Sequence, residues 1–474
     1  MTTSTAPAPR TGLGRDVWKA ATVVIVGATM SFLDSTIVNV ALSALGTDFR
    51  APLNTVQWVV TAYLLAVAAV IPVSGWAARR FGARRTYVAA VVLFTLGSAL
   101  CAAAQDAGQL IAFRAVQGLG GGLIMPVGQM ILARTAGPKN MSRVMATVGV
   151  PIVLAPVFGP FIGGLLLHWT DWRWIFLVNL PVGAAAVLCA VCLLPADRPE
   201  AAPPLDVPGL AAISTGMAVL TYGLGSTDTG SLTVPLLCVA VGTALLVLFA
   251  IRTLNTAHPL FDIRLYRDRV FRAASLTTFF LSMGMYAGMV LMPLYFQDVR
   301  HEDPVTTGML LVPSSIGAAA ATWLSGRAAE RLGTGRTALA GAGLSLAAAV
   351  PFVFVGTDTS YVLIGTAMTV SGFGAGLSVM PAMTSAFRSL DPQKISDASP
   401  QLSILQRLGG SLATAVLVTV LQSGLDGADG RPHDRASAFA VTFGWSLALA
   451  AVAALSAVLL ARAQRRPAAP EPTR

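Results

Sequence analysis

The chain has 474 residues, of which 55% are hydrophobic and 11% charged, with a mean hydropathy of +0.70; soluble domains carry roughly 25% charged residues. That deficit excludes an ordinary soluble domain, and apolar runs of about 20 residues recurring along the chain indicate a polytopic membrane protein. The net charge of +10 admits nucleic acid as a partner until the basic residues are located.

In chain order, residues 1–17 form a polar, proline-bearing tail with no cleavable signal pattern, so the first apolar run is expected to be kept as a span. Fourteen spans are expected, at about 18–45, 54–78, 85–104, 108–133, 143–168, 173–194, 207–225, 231–252, 271–297, 304–327, 336–356, 359–383, 400–424 and 437–461. An even number puts both termini on one side. Of the 32 lysines and arginines, 25 fall on that side. Five fall on the other (Arg50, Arg173, Arg300, Arg431 and Arg435), and Arg114 and Arg407 stand inside spans. The excess places the termini in the cytoplasm, and it removes nucleic acid, since the positive charge serves membrane topology. All four cysteines lie in apolar runs, where Cys189 and Cys192 read as helix filler rather than a redox pair.

A repeat organises the spans. "GWAARRFGARR" (75–85), after the second span, matches "GRAAERLGTGR" (326–336), after the tenth. "GLGGGL" (118–123) in the fourth is echoed by "GFGAGL" (372–377) in the twelfth. Two parallel six-span halves follow, 18–194 and 271–461, a known transporter design. A proline-rich linker at 195–206, an inserted helix pair at 207–252 and a loop at 253–270 lie between them, with a tail at 462–474.

Of the 22 acidic residues, Asp34 alone falls within a span. A carboxylate at a helix centre costs roughly 2.5–3.5 kcal/mol on insertion scales, so it needs a partner or a water-filled cavity. Asp34 is read as a titrating functional group, the alternative being a structural ion pair that never changes protonation. On a helical wheel Ser31 shares its side, whereas Thr36, Asn39 and Ser43 lie opposite. In the fourth span Arg114 and Gln117 share a stripe with Gly118, Gly121 and Gly122, which lets a neighbouring helix approach the arginine. Arg114 lies about 9 Å outward of its span's midpoint and Asp34 about 2 Å outward of its own, a difference an arginine side chain covers. Asp34 with Arg114 is the expected buried couple; the alternative for Arg114, and equally for Arg407, is snorkelling to an interface. In the fifth span Pro151, Pro156 and Pro160 with Gly149, Gly159, Gly163 and Gly164 suggest a gate or hinge helix. Trp58, Tyr63, Tyr286, Tyr295 and Phe296 are candidates for lining an apolar cavity. No metal-ligand spacing and no phosphate-binding loop occur, so neither a metal, a cofactor nor ATP is expected.

These motifs together resemble the fourteen-span drug:proton antiporters of the major facilitator superfamily. "LDSTIVNVAL" (33–42) is similar to the family's first-span signature, with Asp34 at its acidic position, and "RAVQG" (114–118) to the fourth-span motif whose arginine is implicated in proton coupling. "GPFIGG" (159–164) resembles the antiporter motif, "WRWIFLVNLPVG" (172–183) the start of span six, and "MPLYFQ" (292–297) and "QRLGG" (406–410) later family stretches. The resemblance implies an all-α polytopic membrane protein with the major facilitator fold, 14 helices in two six-helix halves plus two inserted ones. It implies proton coupling through Asp34 and Arg114, a substrate cavity touching Asn39, Trp58, Tyr63, Gln117, Tyr286, Tyr295 and Arg407, an antiporter motif of Gly159, Pro160, Gly163 and Gly164, and a cytoplasmic gate of Gly75, Arg79, Arg80, Gly82, Arg84 and Glu330. One departure stands out: Arg79 occupies the position where the family carries the aspartate that latches this gate, and Ala83 replaces an arginine. This departure leaves the latch an open question, with Glu330, at the equivalent point of the second half, as the candidate to compensate.

The expected function is proton-coupled efflux of small hydrophobic compounds across a bacterial cell membrane, by a monomer in the lipid bilayer that exchanges substrate for protons and is not an enzyme. The competing reading is an importer or facilitator of a small solute on the same fold.

Overall fold

Backbone amides and carbonyls inside a bilayer have no water to bond, so an apolar run crosses it by closing its hydrogen bonds as a helix. The computed structural model of the protein describes residues 14–196, 204–225, 233–426 and 432–465, and among these every regular element is helical. The tails 1–13 and 466–474, most of the linker (197–203) and the segments 226–232 and 427–431, with Arg431, lie outside the described residues.

α1 (Arg15–Asp48) is followed by α2 (Leu53–Val70), which passes through a 3₁₀ turn at Ile71–Val73 into α3 (Ser74–Phe81). Pro72 sits in that turn, where its missing N–H is tolerated. α4 (Ala83–Ala102) leads to α5 (Ala107–Trp169), a double-length helix bent at Gly137, whose φ of +64° is left-handed. Asp106 caps α5 by accepting the Gln109 amide at 2.8 Å. α6 (Arg173–Leu177) and α7 (Asn179–Leu193) together make the sixth crossing; α8 (Val207–Gly225) and α9 (Thr233–Asn255) are the inserted pair. The second half runs through α10 (Arg269–Asp298), α11 (Pro304–Leu332), α12 (Thr334–Ala349), α13 (Tyr361–Arg388), α14 (Ile395–Asp426) and α15 (Pro432–Ala463).

Thirteen described helices are long and apolar enough to cross a membrane, and the fourteenth expected span is the second arm of α5, of which Asn140–Ala155 counts as a shorter apolar helix. The repeat survives in the backbone. Gly82 and Gly333, at matching places in the two "G…G" stretches, turn the chain with φ of +91° and +87°. The expected loop 253–270 is more ordered than its sequence suggests. α9 extends to Asn255, Ile263–Arg267 forms a 3₁₀ turn, and Leu260, Phe261 and Leu265 are buried.

Arg79, Arg84, Arg143, Arg252, Arg331 and Arg462 mark one end of the bundle, at which α1 begins and α15 finishes; we call it the basic end. A single apolar cluster joins both halves there, with Val17, Ala83 and Met141 from the first and Ala386, Ile395 and Leu460 from the second. At the far end the core divides. Leu45, Val56 and Trp172 belong to a cluster of the first half, and Val299, Phe352 and Phe439 to a separate cluster of the second. The halves are thus closed on each other at the basic end and packed independently at the far end.

Candidate functional site

Three helices of the first half, α1, α5 and α7, meet at the Asp34 carboxylate, and α2 and α4 join the network one bond further out; Asp34 and Arg114 are both fully buried. Arg114 Nη1 donates to Asp34 Oδ2 at 2.7 Å and to Gln117 Oε1 at 2.7 Å, while its Nε donates to the Val59 carbonyl of α2 at 3.1 Å. Asp34 Oδ1 accepts from Gln117 Nε2 at 2.9 Å and from Asn179 Nδ2, on α7, at 2.7 Å. Asn179 also donates to Ser98 Oγ of α4 at 3.0 Å, and Ser98 donates to the Phe176 carbonyl at 2.9 Å. The Tyr63 ring lies 4.2 Å from the Arg114 guanidinium carbon, and the Tyr63 hydroxyl is 3.3 Å from that of Ser31. Arg114 therefore does not snorkel. Its charge is neutralised at depth by a carboxylate, an amide oxygen, a carbonyl and a ring face.

Glycines explain how so many polar groups converge. A Cβ on Gly118 would stand 2.6 Å from the Tyr63 carbonyl, one on Gly121 2.7 Å from the Tyr63 hydroxyl, and one on Gly122 2.8 Å from the Val67 carbonyl. The stripe beside Arg114 thus admits α2, the helix that carries Tyr63 and Val59. On α4, a Cβ at Gly97 would stand 2.6 Å from the Gln117 Cα. Gly159 and Gly163 in the second arm of α5 pack on α1 at Thr36 and Ile37, whereas Gly164 has open space and is exposed. The antiporter stretch is therefore a packing contact with the helix that bears Asp34, and Gly164 takes no part in it. Nothing is described of the Pro160 side chain.

The aromatic candidates disperse. Trp58 is exposed and stacks on Tyr222 of α8 at 5.6 Å, so it faces the inserted pair and not the Asp34 node. Tyr295 is a core residue of the second half, fully buried against Phe439 and Phe443, with its hydroxyl donating to the Gly356 carbonyl at 2.7 Å; Phe296 lies beside it. Both aromatics are large apolar bodies whose packing partners only the fold decides. Asn39 is exposed on α1, away from Asp34. Tyr286 packs on Gly410 at the α10–α14 contact. Arg407 is half-buried on α14 of the second half, outside the polar network around Asp34.

At the basic end the charges are paired between halves. Arg79 forms an ion pair with Asp397 at the start of α14, and its Nη2 donates to the Leu260 carbonyl at 3.3 Å. Arg143 Nη2 donates to Glu330 Oε2 at 3.0 Å. A Cβ on Gly75 would collide with the Ser396 carbonyl, so this glycine lets α3 touch α14 directly. Arg84 donates to the Val191 carbonyl at 2.5 Å within the first half, and Arg80 is exposed. Arg79 thus has an acid to bind in the second half, and Glu330 is engaged by Arg143 of the first.

Asn179, Ser98, Asp397 and Arg143 were not singled out from sequence. Asn179 lies inside "WRWIFLVNLPVG", but a neutral amide costs a span little and so stands out little; Asp397 reads as one more loop acid.

A bundle of membrane-length helices in two repeated halves, closed on each other at one end and with a buried ion pair inside the first half, describes a polytopic membrane transporter. A profile of the Major Facilitator Superfamily matches residues 24–414, and the chain belongs to that family of small-molecule transporters. It is 40% identical over 409 residues to the "Multidrug resistance protein B homolog" of Mycobacterium tuberculosis (strain ATCC 25618 / H37Rv), covering 85% of this chain and 76% of that protein. It is 31% identical over 447 residues to the "Putative multidrug resistance protein MdtD" of Escherichia coli O9:H4 (strain HS), covering 93% of each. Among solved structures, the proton:xylose symporter XylE shares the fold with a TM-score of 0.65 at 13% identity, over 93% of this chain and 94% of that one.

Proposed function

We propose that the protein is a proton-coupled exporter of small hydrophobic compounds, working by alternating access in a bacterial cell membrane with its basic end in the cytoplasm. The names of its relatives support the export of drug-like compounds, and the excess of basic residues on the terminal side supports the orientation. The observation that carries the coupling is the Asp34 node. Both carboxylate oxygens face only donors, from Arg114, Gln117 and Asn179. This arrangement suits a carboxylate. Protonation removes the negative charge that these three donors share, which weakens the charge-assisted bonds and favours release of a donor. Arg114 also holds the α2 backbone and Asn179 holds α4 through Ser98, so that release loosens the packing of α1 against its neighbours. Proton uptake thereby becomes a change in helix packing, as a local charge switch biasing a two-state element.

One acid serves the proton, so a dicationic substrate finds no second counter-charge. Neutral, monocationic or anionic compounds fit better. The protein acts as a monomer on this reading, with substrate, protons and lipid as its partners. A susceptibility panel in a pump-deficient host identifies the compounds. For those, Asp34→Asn protein in proteoliposomes is expected to lose transport driven by an imposed pH gradient while retaining its fold. Export against a concentration gradient by that variant, driven by pH, would sink the coupling role.

A further inference from the structure

Two arginines stand inside the spans, and their charges are met differently. Arg114 is neutralised by Asp34, whereas Arg407 of α14 has no ion pair, hydrogen bond or ring contact among the described residues. The contacts nearer the basic end give its direction. Ser396 and Pro400 meet Gly75 of α3, and Ser399 donates to the Pro126 carbonyl of α5 at 2.8 Å. At 100° per residue Ser403 and Arg407 continue the same stripe, so Arg407 is aimed at the first half. Snorkelling to the basic end is blocked, because the stripe on that side is buried against α3 and α5; the other end of α14, at Asp426, is roughly 28 Å away. At Arg407 the joint packing ends. Ile395, Ala398, Leu402 and Ile404 belong to the apolar cluster shared by both halves, and Ala413, Leu417 and Leu421 to the cluster of the second half alone. Arg407 therefore stands on the floor of the cleft between the halves, half-buried and without a counter-charge.

A second unanswered group lies one turn nearer the basic end. The Ser403 hydroxyl is on the same stripe, in a residue 7% exposed, and has no hydrogen-bond partner. A buried hydroxyl without a partner and an intramembrane cation without an acid both cost free energy unless a ligand or water answers them. One turn toward the far end Tyr286 of α10 packs on Gly410 and offers a ring to an apolar body. We infer that Arg407 and Ser403 form an anion-binding subsite on the cleft floor, and that the cargo of the proposed exporter is an amphipathic organic monoanion, a carboxylate or sulfonate on an apolar body. The guanidinium fork matches such a group with two parallel bonds, and the serine hydroxyl is free to donate a third. A neutral analogue of the same shape leaves the charge unanswered, and a cationic one is repelled. Of the compounds that the single acid at Asp34 allows, the anions are thus preferred. The inference rests on the exporter reading only in calling the anion cargo, since it binds whether or not it is moved.

The test measures equilibrium binding of 2-naphthoate to the full chain in nanodiscs of neutral phosphatidylcholine, by calorimetry and without a gradient. 2-Naphthamide and 2-naphthylmethylammonium serve as the neutral and cationic analogues. Wild-type protein is expected to bind the anion about tenfold more tightly than the amide, and the cation more weakly still. Arg407→Gln should lose the preference for the anion, Arg407→Lys should keep part of it, and Ser403→Ala should weaken anion binding by about threefold. A wild type that binds the anion no better than the amide, or a preference that survives in Arg407→Gln, would overturn the subsite. If Arg407→Gln does not elute as a folded species, the wild-type ranking and the weakening in Ser403→Ala decide in its place. The difference between wild type and Arg407→Gln should persist when about one-fifth of the lipid is phosphatidylglycerol; its disappearance would make a lipid headgroup the occupant and overturn the cargo assignment. Anion binding that persists in a protein found to move no compound would refute the exporter reading while supporting the subsite.

Discussion

The two halves treat the same position in opposite ways. Counting back from the "GLGGGL" and "GFGAGL" echoes, Arg114 in the first half corresponds to Met368 in the second. Arg114 is fully buried and tied to Asp34, Gln117, Val59 and Tyr63. Met368, 4% exposed, packs in an apolar cluster with Leu291, Ile364 and Phe439. The same helix position thus holds a charge in one half and a flexible apolar filler in the other. The buried ion pair with its amide partners thus lies in the first half, and at the matching position the second half packs apolar side chains. Such a division suits the proposed alternating access, in which a proton on Asp34 would alter the packing of one half against the other.

The largest effect should come from making the first half resemble the second. Arg114→Met removes the guanidinium and leaves Asp34 buried among two amides, a loss of about 3–5 kcal/mol for a broken buried pair. Adding Asp34→Asn to it removes the orphaned charge, so the double variant is expected to regain much of the lost thermal stability in detergent while remaining unable to couple protons. A double variant no more stable than Arg114→Met would show that the node is held by packing rather than charge.

The reverse change comes next. Met368→Arg places a cation in an apolar cluster with no acid beside it, and insertion scales put that at roughly 2.5–3.5 kcal/mol. Reduced accumulation in the membrane and a lowered melting temperature are the expected readouts. A protein of unchanged stability would mean that the second half can supply a partner or water at this depth, which would erase the contrast between the halves.

How much of this contrast was legible in sequence depended on how far each residue departs from its surroundings. Asp34 and Arg114 are charges in apolar runs, and their spacing along two helices sufficed to pair them. The spans themselves are apolar over lengths that only a membrane requires. Asn179 completes the same site but carries no charge, and Asp397 carries one where many loop residues do. Trp58 and Tyr295 are apolar residues in apolar helices; their facing toward α8 and toward Phe439 is set by packing between helices far apart in the chain. Leu260, Phe261 and Leu265 form too short and broken an apolar run to announce a buried segment. The reversal at Arg79 was visible as an anomaly, but its meaning required the spatial neighbour Asp397.

Within the glycine-rich arm of α5 the contrast can be sharpened on a smaller scale. Gly159 faces Thr36 with no room for a Cβ, whereas Gly164 has open space. Gly159→Ala is expected to cost about 1–3 kcal/mol by overpacking the contact with α1, and to impair transport because α1 carries Asp34. Gly164→Ala removes a flexible residue from a helix at no steric cost, so a gain of about 0.4–1 kcal/mol is expected. Equal thermal shifts for the two would mean that the stretch acts through backbone flexibility and not through its contact with α1.

The smallest effect is expected at Glu330. Its pair with Arg143 is more than one-third exposed on both sides, and pairs of this kind contribute about 0–1 kcal/mol. Glu330→Gln keeps the shape of the side chain and can retain a neutral hydrogen bond to Arg143, so stability should hardly change. Transport should fall by less than about fivefold, and the difference from wild type should shrink as salt is raised from about 0.05 to 0.5 M, because exposed charges are screened over a few ångströms at the higher value. Asp397→Asn, measured beside it, should show the larger defect and the weaker salt dependence, since its pair with Arg79 is mostly shielded from solvent. The comparison therefore turns on rank: a Glu330→Gln defect equal to that of Asp397→Asn would place the gate's closing force in the exposed pair and reverse the order that burial dictates.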